Sequence, residues 1–347
     1  MTAQSKAGAI TDNPEISVCV IVAAKNAADT IAAAISSALR DVHVTEVIVV
    51  DDGSTDGTSE AAEKANDGSG RLRIIRFEVN KGPSYARNHA IACSSAALIS
   101  ILDADDFFIP DRFSHLLATR DWDMAADNIA FIDQRWIGHL NTLAIPRFHP
   151  QSWFLDLPTF VGRNISRRHR HRCELGFLKP VIRREFLNRH NLRYNEKLRL
   201  GEDYDLYTRA LALDARFQII NNCGYGAVVR ADSLSGQHKT DDLKQLADAD
   251  KMLLESGTLP ESAGEAVRQH ERHVRSKYYH RQFLDTKAKK GLVAATAYGL
   301  RNPPAILPIV RGVAMDKFDD VVRLFRRAPG TPPDPPAPRY LFPGPTQ

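Results

Sequence analysis

The stretch Ala97-Leu98-Ile99-Ser100-Ile101-Leu102-Asp103-Ala104-Asp105-Asp106 is almost wholly apolar and then ends in three carboxylates. An apolar run bounded in this way reads as a buried strand of a parallel sheet. Ligands of such sheets sit at the carboxyl ends of the strands. In an extended backbone Asp103 and Asp105 leave the chain on the same side. Carboxylates this close repel one another, and a hard divalent cation relieves the repulsion. The strand end is therefore a candidate cation site. The plain alternative is a polar strand terminus, or a cap for a helix opened by Pro110.

Outward from this stretch, strand and helix patterns alternate. Residues 16–24 read as a strand, followed by a helix with Ile31, Ile35, Ala38 and Leu39 on one face. Residues 46–50 form a second strand ending in Asp51-Asp52-Gly53-Ser54-Thr55-Asp56, and 72–77 a third. Gly82-Pro83 breaks the chain, and Pro83 suits the first turn of a helix reaching residue 92. Four such repeats predict a parallel α/β sheet. The turn after the first strand reads Ala23-Ala24-Lys25-Asn26, without the glycine fingerprint of dinucleotide binding, and no Walker loop is present.

The second half is less regular. Short strand-like pieces are expected at 129–132 and 136–143, and two more strands at 216–220 and 225–230. From 241 to about 327 the pattern is helical, interrupted at Pro303-Pro304. The last 19 residues hold eight of the 19 prolines, which predicts an extended or disordered tail.

The apolar and charged fractions, 43% and 25%, are those of a globular protein. A net charge of +4 is too small to argue for a nucleic-acid partner, and the arginines at 163–172 lack interleaved aromatics for stacking bases. The four cysteines match no zinc or redox spacing. No apolar run approaches the roughly 20 residues that span a bilayer, and residues 1–6 lack the apolar core of a signal peptide. The expected location is the cytoplasm.

The strand-end motifs form an ordered set: Asp51-Asp52-Gly53-Ser54-Thr55-Asp56-Gly57, then Gly82 with Ala86-Arg87-Asn88, then Asp103-Ala104-Asp105-Asp106, then Gly201-Glu202-Asp203-Tyr204-Asp205. This set resembles the family 2 glycosyltransferases, and the layout is similar to bacterial exopolysaccharide glycosyltransferases of the succinoglycan type. The resemblance implies a GT-A fold, a Rossmann-like mixed sheet flanked by helices, with a C-terminal helical extension. The expected organisation is a flexible N-terminus at 1–14, the GT-A domain at 15–238, a helical region at 239–327 and a proline-rich disordered tail at 328–347. The implied activity is inverting transfer of a hexose, glucose being expected, from a UDP-sugar to a growing lipid-linked exopolysaccharide repeat unit. The alternative is an inactive scaffold of the same fold that binds nucleotide sugar or polysaccharide. A sugar nucleotidyltransferase is disfavoured, because its glycine-rich N-terminal loop is missing at 23–26.

Site roles follow from the same resemblance. Asp52 is implied to accept from the uracil imide, although alone it reads as a turn aspartate capping a helix. Arg87 and, more weakly, Asn26 are implied to contact the nucleotide. Asp103 is implied at the ribose, and Asp105 at Mg²⁺ or Mn²⁺ bridging the diphosphate. Asp203 is implied as the base that takes the acceptor proton, with Glu202 positioning; their bland reading is acids at a helix N-terminus. Arg168, Arg230 and His238 are candidates for diphosphate or acceptor contacts, against a solvated surface reading. The helix at 310–327 is basic and amphipathic, so it either lies on an anionic membrane or packs in a small bundle. With a lipid-linked acceptor, the expectation is peripheral attachment to the cytoplasmic face of the inner membrane.

Overall fold

The computed structural model describes residues 17–136, 152–166, 174–230, 239–257, 259–325 and 337–342. Strands β1 (Val18–Ala24), β2 (Val44–Asp51), β3 (Leu72–Arg76) and β4 (Leu98–Ile101) alternate with helices α1 (Ile31–Leu39), α2 (Thr58–Lys64) and α3 (Pro83–Cys93). β1 pairs in parallel with β2 and β4, and β2 with β3. Val18 to Val22 are fully buried, as a strand covered on both faces requires. α1 packs the expected stripe, Ile31, Ile35, Ala38 and Leu39, onto this sheet. α3 opens at Gly82, whose φ of 93° needs a residue without Cβ, with Pro83 in its first turn. Cys19 is buried within β1, and burial raises its thiol to about 12. Cys19, Cys93 and Cys223 are free thiols.

Beyond β4 the sheet becomes mixed. β8 (Val181–Arg183) runs antiparallel to β4, and β6 (Met124–Asp133) antiparallel to β8. β9 (Phe217–Val229) lies parallel to β6, and β5 (Phe107–Phe108) antiparallel to β9. The order is β3-β2-β1-β4-β8-β6-β9-β5. β7 (Trp153–Leu155) pairs with β9, and β10 (Arg339–Tyr340) with β6. Helices α4 (Arg112–Leu116), α5 (Leu157–Asn164), α6 (Arg184–Arg189) and α7 (Glu202–Ala212) pack around these strands. α8 (Thr240–Glu255), α9 (Glu261–Arg301) and α10 (Pro303–Phe325) form the C-terminal helical region, and α9 is broken at Gly291, with φ 83° and ψ 172°.

Three expectations are corrected. The piece expected at 129–132 is part of one longer strand, β6, which carries the buried polar pair Asp127 and Asn128 inside it; residues 137–143 lie outside the described residues. The strands expected at 216–220 and 225–230 are one strand, β9, whose register against β6 shifts around Asn128. At that shift Gly224 runs against Arg112 and Asp127 so closely that a Cβ would collide with both side chains. The tail expected to be disordered contributes β10 within 337–342, where Leu341 is buried and Asn128 exchanges hydrogen bonds of 2.9 and 3.0 Å with the Phe342 backbone.

Candidate active site

The loops after β1, β2, β3 and β4 meet at the carboxyl edge of the parallel strands. Asp51 acts as the local fastener, accepting from Ser54 N at 2.9 Å and Ser59 Oγ at 2.5 Å. Asp52, 4% exposed, caps no helix of its own loop. Its two oxygens accept from the backbone N–H of Lys81 at 2.7 Å and Gly82 at 2.8 Å, tying the β2 loop to the start of α3. A carboxylate offers about four acceptor sites, so capacity remains for a ligand donor. Asn26, with φ 50°, clasps the same loops: its N–H donates to Ser54 Oγ and its Oδ1 accepts from Thr55 N. Its side-chain oxygen serves the loop.

Behind this edge lies a buried ion cluster. Arg87 Nη1 donates to Glu202 at 2.7 Å and Asp203 at 3.3 Å, while its Nη2 donates to Asp103 at 3.0 Å. Lys179 Nζ reaches Asp103 at 2.9 Å and Asp203 at 2.6 Å. Two cations are thus shared among three carboxylates, and Asp103 and Asp203 are each held by both. Buried ions are tolerable only with such pairing. Burial works against the charge of Asp103, but Lys179 and Arg87 outweigh it and lower its pKa. Burial opposes the cations too, yet Asp203, Glu202 and Asp103 raise Arg87, and Asp103 with Asp203 raises Lys179. Glu202 is raised, because burial exceeds the help from Arg87. α7 delivers Glu202 and Asp203 in its first turn, after Gly201 at φ 72°. Lys179 is fixed through its backbone: Arg112 donates to its carbonyl at 2.5 Å, and Tyr207 to the Leu178 carbonyl at 3.1 Å.

The remaining acids of the opening motif diverge. Asp106 accepts from Tyr225 Oη at 2.8 Å and Val228 N at 2.9 Å, while the same hydroxyl accepts from Asp103 N at 3.1 Å. Asp106 is thereby a brace between β4 and β9. Asp105 makes no hydrogen bond or ion pair with another residue among the described residues, its own backbone N–H apart. Burial and then Asp103 raise its pKa, partly offset by Arg230 and Lys179. Arg230 Nε is buried without a partner among the described residues.

The model of the family described as glycosyl transferase family 2 matches residues 19–169. The chain is also 54% identical over 302 residues to the succinoglycan biosynthesis protein ExoU of Rhizobium meliloti (strain 1021), covering 87% of this chain and 88% of that one. The chain belongs to glycosyl transferase family 2. Within the family it is also similar to the succinoglycan biosynthesis protein ExoO of the same organism, 35% identical over 83% of this chain and 82% of that one. It shares 29% identity with the UDP-Glc:alpha-D-GlcNAc-diphosphoundecaprenol beta-1,3-glucosyltransferase WfgD of Escherichia coli, over 60% of this chain and 74% of that one. Its fold is that of TarS from S. aureus, crystallised with UDP-GlcNAc: TM-score 0.56 at 19% identity, covering 86% of this chain and 80% of that one. The fold is GT-A, with a C-terminal helical region.

In this family 2 glycosyltransferase, Arg87, Asp103, Glu202 and Asp203 come together as one cluster, with Asp105 beside it. Arg168 and His238 lie outside the described residues. Lys179 is the site residue that sequence reasoning passed over. Its signal is a lone cation between Leu178 and the apolar Val181-Ile182 pair, an arrangement too costly without an anionic partner. No group of three or more metal-ligating side chains occurs among the described residues. An unpartnered carboxylate whose charge is opposed by burial and Asp103 still fits a Mg²⁺-type site, which takes one or two carboxylates and completes its shell with phosphate oxygens and water.

Proposed function

We propose that the protein is an inverting, metal-dependent hexosyltransferase that moves glucose from UDP-glucose to a lipid-linked oligosaccharide, extending a bacterial exopolysaccharide repeat unit. The observation that carries this reading is the sharing of Arg87 and Lys179 between Asp103, on the strand-end side, and Asp203, at the head of α7. One carboxylate belongs to the donor side and the other to the acceptor side, and the same two cations set their spacing. Likeness to ExoU supports the exopolysaccharide role, and the activity for which WfgD is named supports both the UDP-glucose donor and the diphospholipid-linked acceptor.

In this reading Asp203 accepts the proton of the attacking acceptor hydroxyl. Its carboxylate is held in place by Lys179 and Arg87, so it meets the hydroxyl without first reorganising. Glu202, fastened to Arg87, positions the acceptor. Asp103 receives the ribose hydroxyls, and Asp52 with the loop it ties receives the uracil. Arg87 already spends both terminal nitrogens on carboxylates, so its main task is to hold the base rather than to grip the nucleotide. Arg230 faces the diphosphate side. Asp105 would hold Mg²⁺ or Mn²⁺, which would neutralise the departing diphosphate. The hydroxyl attacks opposite the leaving group in a single displacement, so the anomeric configuration inverts. The enzyme works as a peripheral protein at the cytoplasmic face of the inner membrane, where such an acceptor is found.

The test is a donor screen on membrane-extracted lipid-linked acceptors, with labelled sugar nucleotides and with Mg²⁺, Mn²⁺ or chelator. Consumption of UDP-glucose that stops with chelator, and that Asp105→Asn abolishes, is expected. Undiminished transfer in chelator contradicts the metal role. Tight UDP-glucose binding with no transfer to any acceptor would favour the scaffold alternative.

A further inference from the structure

The C-terminal helical region presents a surface that the transfer chemistry does not use. Between Asp285 and Asp316 the sequence contains no acidic residue, yet it carries Lys287, Lys289, Lys290, Arg301 and Arg311. All five cations are exposed, and none is in an ion pair among the described residues. The same stretch exposes Leu292, Val293, Leu300, Ile306, Leu307 and Val310, with Val293 at 86% and Leu307 at 75%. Large aliphatic side chains gathered at this density on a surface mark an interaction site rather than ordinary scatter.

The backbone explains why they cluster. α9 breaks at Gly291, and Asn302-Pro303 separates it from α10, so the chain turns twice within about a dozen residues. α10 then folds back, with Ile309 against Gly299 and Gly312 against the His280 ring. Ala295, Gly299, Ala305 and Ile309 are buried in this packing. The larger aliphatics are left pointing away from it. Beside the elbow lies a cavity of about 640 Å³, lined by Lys239, Arg281, Lys289 and Lys290 together with Asp241 and Asp285. Asp285 is engaged by the Thr240 hydroxyl at 2.5 Å.

We infer that the α9–α10 elbow, residues 287–311, docks the enzyme on an anionic phospholipid bilayer. The exposed aliphatics enter the headgroup–acyl boundary, the five cations meet the negative surface, and the basic cavity takes a lipid headgroup phosphate. No helix among the described residues is long and apolar enough to cross the membrane, so the elbow lies on the bilayer rather than through it. A second copy of the chain is a poorer occupant: a two-fold interface sets each patch against itself, which would bring the five unpaired cations against five more. This docking site shares only Val310 and Arg311 with the helix at 310–327 expected from the sequence, because the exposed apolar groups centre on the turn before it. Its basis in charge and exposure stands apart from the candidate active site; only its purpose rests on the proposed lipid-linked acceptor.

The experiment is flotation of the full-length protein with vesicles of phosphatidylcholine, alone or mixed with phosphatidylglycerol, at low and high salt. Binding to the mixed vesicles that weakens with salt is expected. Leu292→Glu combined with Leu307→Glu lowers it by at least about tenfold. Lys289→Gln combined with Lys290→Gln lowers it about fivefold for each charge removed. Helical circular dichroism and UDP-glucose turnover on a detergent-solubilised acceptor stay at wild-type level in both variants. Failure of the wild type to float overturns the inference, as does equal flotation of the variants. A concentration-dependent dimer, abolished by the same variants and without vesicle binding, overturns it in favour of self-association. Loss of turnover on the solubilised acceptor in the wild type would instead count against the proposed reaction.

Discussion

Lys179 and Arg87 show how a few buried charges can set the geometry of a whole cluster. Each cation serves carboxylates that arrive from different elements, β4 and α7, so neither element can shift alone without leaving an ion unpaired. Removing one partner from such a cluster costs roughly 3–5 kcal/mol, because the remaining charge stays buried. Lys179→Met should therefore lower the unfolding free energy read from a urea melt by an amount of that order and reduce transfer together with it. Lys179→Arg should not restore transfer fully, since a planar fork cannot stand where a compact ammonium bridges two carboxylates. Unchanged stability and turnover in Lys179→Met would remove Lys179 from the site. Arg87, Asp103, Glu202 and Asp203, which the fold brings together, stand out in the sequence because each belongs to a compact motif at a strand or helix end. Lys179 does not, since its partners Asp103 and Asp203 lie 76 and 24 residues away in the chain.

At the scale of elements, α7 is coupled to the C-terminal helices by a buried chain. Tyr204, next to Asp203, donates to Asp250 of α8 at 3.0 Å, and Asp250 pairs with His270 of α9 at 2.6 Å, whose ring stacks on Tyr204 at 4.1 Å. Asp250→Ala would strand the Tyr204 hydroxyl and the His270 ring, with an expected cost of about 1–3 kcal/mol in a thermal or urea melt. One turn further along α9, His273 faces Ser166, with Lys277 and His270 near it. Burial, then Lys277 and His270, lower its pKa from 6.5 to about 4. Between those values the unfolded chain takes up a proton that the folded one refuses, so stability falls as the pH drops from 6.5 toward 4. His273→Gln should flatten that part of the stability profile, and a profile as steep as wild type would contradict it. The first four strands were legible because each is an apolar-dominated run, broken at most by Arg73 in β3 and Ser100 in β4, that recurs between helical patterns. β6 and β9 were legible only in pieces: Asp127, Asn128 and Gly224 interrupt their patterns, and the groups that pair with Asp127 Oδ1 and with Asn128, Arg112 and the Phe342 backbone, come from elsewhere in the chain.

For the molecule as a whole, the sheet is completed from both ends of the sequence. β10 adds to β6 from a segment whose proline content alone reads as an unstructured tail, and it brings buried Leu341 with it. Composition registers the prolines but not the short Arg339-Tyr340-Leu341-Phe342 run between them, whose partner strand lies about 200 residues earlier. Truncation after residue 336 should therefore destabilise the protein by about 2 kcal/mol or more, from Leu341 burial and the stranded Asn128 amide. An unchanged melting temperature would show that β10 contributes nothing. The same scale separates two regions of the enzyme, a carboxylate-rich cluster at the sheet edge and a basic, apolar elbow in the C-terminal helices.

The central claim, that Asp203 is the base of a sugar transfer organised around the Arg87–Lys179 cluster, is tested most directly by Asp203→Asn, with UDP-glucose binding and transfer measured side by side on a variant whose fold is verified by its melt. The expected result is near wild-type donor affinity with transfer reduced by about two orders of magnitude or more. Transfer at wild-type rate, or a collapse of donor affinity in place of the rate, would contradict it.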